Sequence, residues 1–286
     1  MTGSRSCSAT IPDALAPRPE APSPSSSAAT DPTLLTKLGI PWIWGADVEK
    51  GWVFMRWNVK PITAHVMAPG SCAYGRDRMP AEGGAVVASN HLSGLDPPLL
   101  GSFSRRALWY MMKSELLDIP VVGEALTWTG AFPIRRGEGD REGMRKAREL
   151  VREGHVVGIF VEGTRQRFGY PGRPIHAGAL AIAMNEDVPV VPAGLESFGW
   201  SLKNRRACCV IYGEPMTFEG LPRNGRGYKE AAELVADEIL RLWRQAAEAV
   251  AAGLPPELPD GTPRSGVPGR GTFMRARTPR RVSGLV

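Results

Sequence analysis

A histidine and an aspartate five residues apart, His91 and Asp96, are the side chains of this sequence best placed for acid–base chemistry. The apolar run at residues 84–88 precedes them and predicts a buried strand. Asp96 followed by Pro97 is typical of the start of a helix. His91 is therefore predicted at the carboxyl end of a strand, where open α/β sheets place their sites. If Asp96 accepts a hydrogen bond from Nδ1, Nε2 of His91 can act as a general base.

The pair also has a plainer interpretation, because a histidine five residues before an aspartate often arises by chance. Asp96 could serve only to cap the helix, and His91 could be a solvated turn residue. A base also needs a substrate to deprotonate and groups that hold that substrate, so the choice depends on the rest of the chain.

Three further groups of residues follow predicted strands, at residues 130–136, 159–165 and 188–194. The first group contains Arg135 and the second contains Arg165, each just after a predicted strand. An arginine side chain offers a fixed fork of donors that matches phosphate in two-point contact. A Gly-Thr turn adds backbone N–H donors at close range. Each group alone is compatible with solvated loop charges or an ordinary strand exit. Together they indicate a phosphate-bearing substrate beside a general base.

The four groups, in this order, resemble the sequence blocks of the glycerolipid acyltransferase family, of the 1-acylglycerol-3-phosphate acyltransferase kind. The blocks stand here as NHLSGLD at residues 90–96, the segment 130–135, FVEGTRQ at 160–166 and VPVVP at 188–192. The resemblance covers about residues 81–218, and the ordered set is far more specific than any single block.

This resemblance implies transfer of a fatty acyl group to the free hydroxyl of 1-acyl-sn-glycerol 3-phosphate, which gives phosphatidic acid. The donor would be acyl-CoA or acyl carrier protein, with His91 as the base and Asp96 as its orienting partner. The phosphate of the acceptor would be bound by Arg135, Glu162, Gly163, Thr164 and Arg165. No cofactor, metal or covalent enzyme intermediate is expected, because a thioester is already activated.

Three departures from the family pattern leave the acceptor open. Val161 stands where proline is frequent, Gln166 where serine is usual, and His176 where lysine is frequent. Another lysophospholipid, glycerol 3-phosphate or a different alcohol therefore stays an alternative acceptor. A thioesterase-type hydrolase and a non-catalytic lipid-binding module are alternatives from other classes. A serine hydrolase is disfavoured, because no G-x-S-x-G segment surrounds Ser93.

Strands that alternate with helices predict an α/β fold with a mixed, mostly parallel central sheet flanked by helices. The predicted strands are residues 85–89, 107–112, 131–134, 156–161, 188–193 and 207–212. The predicted helices begin at residue 96, lie near 120–127, and span 140–153, 177–185 and 227–251.

Composition divides the chain into three parts. Residues 1–32 are rich in Ser, Pro and Ala and predict disorder. Residues 33–252 are predicted to form the acyltransferase domain. Residues 253–286 are predicted to be a disordered basic tail, because the stretch 261–286 holds six arginines and no acidic residue. The net charge of +6 belongs to that stretch, since the remainder carries equal numbers of basic and acidic side chains.

The start of the predicted domain, residues 33–61, is rich in tryptophan and cations and is predicted to be helical. Trp42, Trp44, Trp52 and Trp57 suit a membrane interface, although a helix that packs its indoles onto the domain is the alternative. The sequence has no run of 18 apolar residues and no signal peptide, and its four cysteines lack metal-site spacing. We therefore expect a cytoplasmic protein, peripherally associated with the inner face of the membrane, with no specific nucleic-acid partner.

Overall fold

The structure is a computed structural model that describes residues 60–113, 131–134 and 141–265. Four predictions fall wholly or mostly outside these ranges: the disorder of residues 1–32, the Trp-rich segment 33–61, the helix near 120–127, and the tail beyond residue 265.

The described residues contain eight strands, which form one sheet. In chain order they are β1 (Cys72–Tyr74), β2 (Ala85–Ser89), β3 (Leu108–Lys113), β4 (Ala131–Ile134), β5 (Val156–Phe160), β6 (Val190–Glu196), β7 (Cys209–Tyr212) and β8 (Arg264–Ser265). Across the sheet they lie in the order β4-β3-β5-β2-β6-β7-β1-β8.

The five strands from β4 to β6 in that order are mutually parallel. Strand β7 is antiparallel to β6, β1 is parallel to β7, and β8 is antiparallel to β1. The carboxyl ends of β2, β3, β4, β5 and β6 therefore share one edge of the sheet, which we call the carboxyl edge. The predicted fold class, a mixed and mostly parallel sheet flanked by helices, is confirmed.

In the ranges that the structure describes, four α-helices cover the two faces of this sheet: α1 (Asp96–Phe103), α2 (Arg141–Arg152), α3 (Gly178–Asn185) and α4 (Gly225–Ala251). Helix α1 and a π-helical turn at Ile62–Met67 pack on one face, and α2, α3 and α4 pack on the other. Successive side chains of β2 point to opposite faces of the sheet, so Val87 packs in the first layer and Val86 in the second. Apolar side chains on both faces explain why β2 and β6 read as continuous apolar runs.

Helix α4 approaches the sheet closely at Gly194 of β6. A Cβ atom at this position would lie 2.2 Å from the backbone nitrogen of Trp243, so a larger residue would force the helix away. In the described residues, no helix is both long and apolar enough to cross a membrane.

Each predicted strand on described residues is present, and β2 and β4 have the predicted bounds. Two short strands, β1 and β8, were not predicted. Residues 254–265 also differ from the disorder predicted beyond residue 252. Leu254 and Leu258 are buried against the end of α4, and Tyr74 Oη donates a hydrogen bond to the Pro255 carbonyl oxygen at 2.6 Å. These two leucines anchor the segment. Its composition, rich in proline and glycine, nevertheless resembles that of a disordered tail, which is why disorder was predicted.

Candidate active site

The turn between β2 and α1 brings His91 and Asp96 into direct contact. Nδ1 of His91 lies 2.7 Å from Oδ2 of Asp96, whose side chain is fully buried. An ionised carboxylate only accepts hydrogen bonds, so Nδ1 carries the hydrogen and Nε2 is the basic nitrogen of the neutral imidazole. The His91 side chain is 17% exposed, which allows a substrate to reach it.

Hydrogen-bond donors from two parts of the chain hold the Asp96 carboxylate. Besides the imidazole, Oδ2 accepts from the backbone N–H groups of Leu92 at 2.6 Å and Ser93 at 2.8 Å. Oδ1 accepts from the hydroxyls of Ser93, at 2.8 Å, and Ser197. Five donors compensate the buried charge without a cation, and they fix the carboxylate against His91.

Ser197 is a site residue that the sequence analysis missed. It is fully buried and directly follows β6, the strand beside β2. The fourth sequence block ends at residue 192, so no motif pointed to it. The only available signal was its position after a predicted strand of the same sheet.

Asn90 fixes the other side of the turn. Its amide group donates to the Leu195 carbonyl oxygen at 2.9 Å and accepts from the Leu195 N–H at 2.8 Å. This pair of hydrogen bonds joins the end of β2 to β6. The base and its partner are therefore anchored to the neighbouring strand on both sides of His91.

An aromatic stack covers one face of the imidazole. The ring of Phe160, the last residue of β5, lies 4.3 Å from that of His91 with an interplanar angle of 24°. Tyr110 of β3 stacks on the far side of Phe160 at 6.2 Å. This stack restricts rotation of the imidazole while Asp96 fixes its Nδ1 edge.

The Glu162 carboxylate points towards the backbone. One oxygen accepts from the His91 N–H at 2.7 Å, and the other accepts from the Gly172 N–H at 2.7 Å. Burial raises the pKa of Glu162 to about 7, an effect that these two hydrogen bonds oppose and the nearby Asp96 charge reinforces. This differs from the phosphate-binding role that the resemblance implies, because both oxygens already hold backbone donors and a carboxylate repels phosphate.

A sharp turn after Glu162 exposes the other residues of the predicted phosphate site. Gly163 has a φ of +67°, and Thr164 and Arg165 are exposed. The Arg165 guanidinium forms no ion pair with any described residue, and it lies beside Gly94, where a Cβ would be 3.5 Å from Nη1. The structure therefore brings Gly163, Thr164 and Arg165 to the His91 turn.

Arg135 lies outside the described residues. The strand before it, β4, ends at the carboxyl edge, three strands from β2. At strand spacings of about 4.8 Å, this separation is about 14 Å across the sheet.

His176 also lies beside this turn. A Cβ on Gly163 would lie 2.9 Å from the imidazole of His176, whose backbone N–H donates to the Val161 carbonyl oxygen at 2.7 Å. The imidazole therefore occupies the position next to the turn where the family pattern often has a lysine.

Glu196 is a second buried carboxyl group close enough to Asp96 to feel its charge. Burial raises the pKa of this last residue of β6, and hydrogen bonds from Trp243 Nε1, at 2.9 Å, and from the Phe198 N–H oppose the shift. The described residues contain no group of three His, Cys, Asp or Glu side chains arranged to hold a metal ion.

Comparison with known proteins identifies the family of this chain. A family model described as acyltransferase matches residues 71–196. The 1-acyl-sn-glycerol-3-phosphate acyltransferase of Bacillus subtilis is 32% identical over 54% of this chain and 78% of its own length. This chain belongs to the acyltransferase family.

Other relatives in the family are longer than the matched region. The chloroplastic 1-acyl-sn-glycerol-3-phosphate acyltransferase BAT2 of Brassica napus is 32% identical, over 54% of this chain and 43% of the relative. Among solved structures, the 1-acyl-sn-glycerophosphate acyltransferase from Thermotoga maritima matches 66% of this chain and 78% of its own. The TM-score is 0.53 at 19% identity, which supports the shared fold.

Proposed function

We propose that this protein transfers a fatty acyl group from an acyl thioester to the free hydroxyl of 1-acyl-sn-glycerol 3-phosphate, with His91 as the general base. The observation that carries this proposal is the hydrogen bond between Nδ1 of His91 and the buried Asp96 carboxylate. It leaves Nε2 as the basic atom, at the carboxyl edge and close to the exposed cation of Arg165.

The proposed step needs one base and no covalent enzyme intermediate. Nε2 of His91 takes the proton of the acceptor hydroxyl as its oxygen attacks the thioester carbonyl carbon. The carbon–sulfur bond then breaks, and the departing thiolate receives the proton from the imidazolium. Asp96 favours the imidazolium between these two transfers. A positioned base typically contributes ~10²–10⁴-fold to the rate.

The acceptor's phosphate is assigned to the turn after Glu162. Arg165 supplies a guanidinium that no described residue neutralises, and the backbone N–H group of Thr164 supplies a further donor. The N–H of Gly163 already donates to the Phe160 carbonyl oxygen at 3.1 Å, so this glycine contributes the shape of the turn. Arg135 is the second proposed cation of this subsite. Glu162 acts in this proposal as a positioning residue, because it holds the backbone N–H of His91.

The donor and the cellular location complete the proposal. The acyl donor is acyl-CoA or acyl carrier protein, and the product is phosphatidic acid for phospholipid biosynthesis. The acceptor is a membrane lipid, so we place the enzyme at the cytoplasmic face of the membrane as a peripheral protein.

Product analysis by lipid mass spectrometry tests the proposal. The purified protein is incubated with mixed acyl-CoAs, or with acyl carrier protein charged with the same chains, and a panel of detergent-dispersed acceptors. We expect phosphatidic acid as the main product when lysophosphatidic acid is present. Preferred acylation of glycerol 3-phosphate or of a neutral-headgroup lysolipid would contradict the assigned acceptor. Release of free fatty acid without any acylated product would indicate a hydrolase.

A further inference from the structure

Large hydrophobic side chains that are exposed gather on one side of the described part of the chain. Seven such side chains occur there, and among them only Leu234 lies on an α-helix. The other six, which we call the apolar rim, are Ile62, Val66, Phe168, Tyr170, Phe198 and Leu202. Phe168 and Leu202 are 76% and 68% exposed.

Two loops of the carboxyl edge carry the aromatic part of the rim. The rings of Phe168 and Tyr170 stack with centroids 6.1 Å apart. Between them, a Cβ on Gly169 would lie 3.0 Å from the ring of Phe198. The loop after β5 and the loop after β6 therefore present one joined aromatic surface.

The loop after β6 extends this surface to the π-helical turn. Paired backbone hydrogen bonds between Ser201 and Asn204 close a tight turn that carries Leu202 near its tip. Trp200 Nε1, in the same loop, donates to the Met67 carbonyl oxygen at 2.9 Å. Val66 directly precedes Met67, and Arg205 Nη1 donates to the Val66 carbonyl oxygen at 3.4 Å, so the loop after β6 contacts both other segments that carry the rim.

The rim borders the residues that surround the base. The N–H of Gln166, two residues before Phe168, donates to the His91 carbonyl oxygen at 2.8 Å. Ser197, which binds Asp96, immediately precedes Phe198. Any surface that covers the rim therefore also faces the opening to His91.

The charge around the rim has one sign. Residues 163–185 and 197–213 contain no Asp or Glu. Arg167, Lys203 and Arg205 are exposed, and none of them forms an ion pair within the described residues. Leu234 has the opposite surroundings, because Glu230, Glu233 and Asp237 are its near neighbours on α4.

We propose that the apolar rim is a lipid-binding surface that inserts into an anionic bilayer and turns the His91 opening towards it. Exposed aromatic and aliphatic side chains enter the boundary between headgroups and acyl chains, and the flanking cations bind anionic headgroups. This inference rests on the proposed function in one respect: an amphiphilic acceptor must pass from the bilayer to the base. It differs from binding by the Trp-rich segment or the tail, because it places the folded domain itself in the interface.

A fluorescent probe at one rim position tests the contact directly. In the full-length chain with Cys7→Ser, an environment-sensitive dye is attached to Leu202→Cys or, as the matched control, to Leu234→Cys. The cysteines at 72, 208 and 209 are buried and should not react. With vesicles of equal parts phosphatidylcholine and phosphatidylglycerol, we expect a blue shift and quenching by brominated lipid at position 202 only. Vesicle-bound protein without a shift at position 202, equal shifts at both positions, or no vesicle binding would each overturn the proposal.

Activity measurements separate this inference from the proposed function. Phe168→Ser combined with Phe198→Ser should weaken vesicle binding by about tenfold or more, with transfer to detergent-dispersed acceptor unchanged. Leu234→Ser should change neither quantity. Unchanged vesicle binding in the double variant would refute the rim. Absence of transfer by the wild-type protein in detergent would refute the proposed function and leave the probe result standing.

Discussion

The hydroxyl of Ser197 donates a hydrogen bond to Oδ1 of Asp96, although 101 residues separate the two in sequence. The contact exists because β6 and β2 are parallel neighbours whose carboxyl ends meet. On the other neighbouring strand, β5, the carboxylate of the following Glu162 accepts a hydrogen bond from the backbone N–H of His91 at 2.7 Å. Three adjacent strands thus determine the position of one imidazole.

Replacing His91 by alanine should lower the rate of acyl transfer by about three orders of magnitude or more. The fold should persist, because the residue lies in a strand-end turn and fills little of the core. His155→Ala is the matched control, since His155 directly precedes β5. Steady-state kinetics and thermal unfolding measure both effects. A His91→Ala enzyme that kept a tenth of its activity would refute the base.

Asp96→Asn should fold and should cost less activity than His91→Ala. The asparagine oxygen can keep the three Oδ2 contacts, while its amide nitrogen can donate to the hydroxyls of Ser93 and Ser197, which also accept. What is lost is the negative charge that favours the imidazolium. A loss of rate equal to that of His91→Ala would show that Asp96 does more than orient and stabilise the imidazole.

Ser197→Ala tests whether the hydroxyl positions Asp96. Loss of one hydrogen bond to a carboxylate should lower kcat by about tenfold with little change in the acceptor KM. Threonine at this position, which keeps a hydroxyl, should restore part of kcat. The control is Ser102→Ala, because the buried Ser102 hydroxyl has no hydrogen-bond partner among the described residues. An unchanged kcat in Ser197→Ala would make the contact with Asp96 irrelevant to turnover.

Arg165→Ala should raise the acceptor KM by one to two decades and leave the donor KM nearly unchanged. Loss of a charge-assisted contact to phosphate costs about 1.5–3 kcal/mol. Arg135→Ala should act in the same direction, and Arg244→Ala on α4, an exposed arginine on a covering helix, should have no effect. If either site variant weakened only the donor, the subsite would belong to the thioester.

Glu162 should make the protein less stable as the pH rises towards neutrality. Its pKa is about 7 in the folded state and about 4.3 in an unfolded chain, so the folded protein binds this proton more tightly. Its contribution to the free energy of unfolding is complete below about pH 4 and is lost as the pH rises through about 7. Urea unfolding should show a flatter pH dependence in that window for Glu162→Gln than for the wild type or for the exposed control Glu219→Gln. Parallel curves for all three would contradict the raised pKa.

The sequence predicted the elements of the site better than it predicted their roles. His91 and Asp96 could be paired because one strand end and one helix start hold both within six residues. The contacts of Glu162 could not be predicted, because the same Glu-Gly-Thr-Arg string permits an outward or an inward carboxylate. The N–H of His91 and the packing of the 163–172 loop decide between the two.

The strands differ in the same way. Those with a local sequence pattern could be predicted, and those that form by pairing with a distant part of the chain could not. Strands β2 and β6 could be predicted from the sequence, because burial on both faces of the sheet requires a continuous run of mostly apolar residues. Strand β1 has three residues, and β8 exists because Ala73 and Tyr74 offer it an edge. Pairing between Ala73 and Ser265, which are 192 residues apart, leaves no trace in local composition, so the sequence predicted a tail there.

Strand β8 also determines what the outer edge of the sheet offers to other molecules. Without it, β1 would be the edge strand and would present unpaired backbone N–H and carbonyl groups, which invites edge-to-edge association. Two residues, Arg264 and Ser265, close that edge, and the Arg264 side chain donates to the Leu254 carbonyl oxygen at 2.8 Å. A chain shortened before residue 262 would therefore be prone to oligomerise, whereas one ending after Ser265 would keep its edge covered.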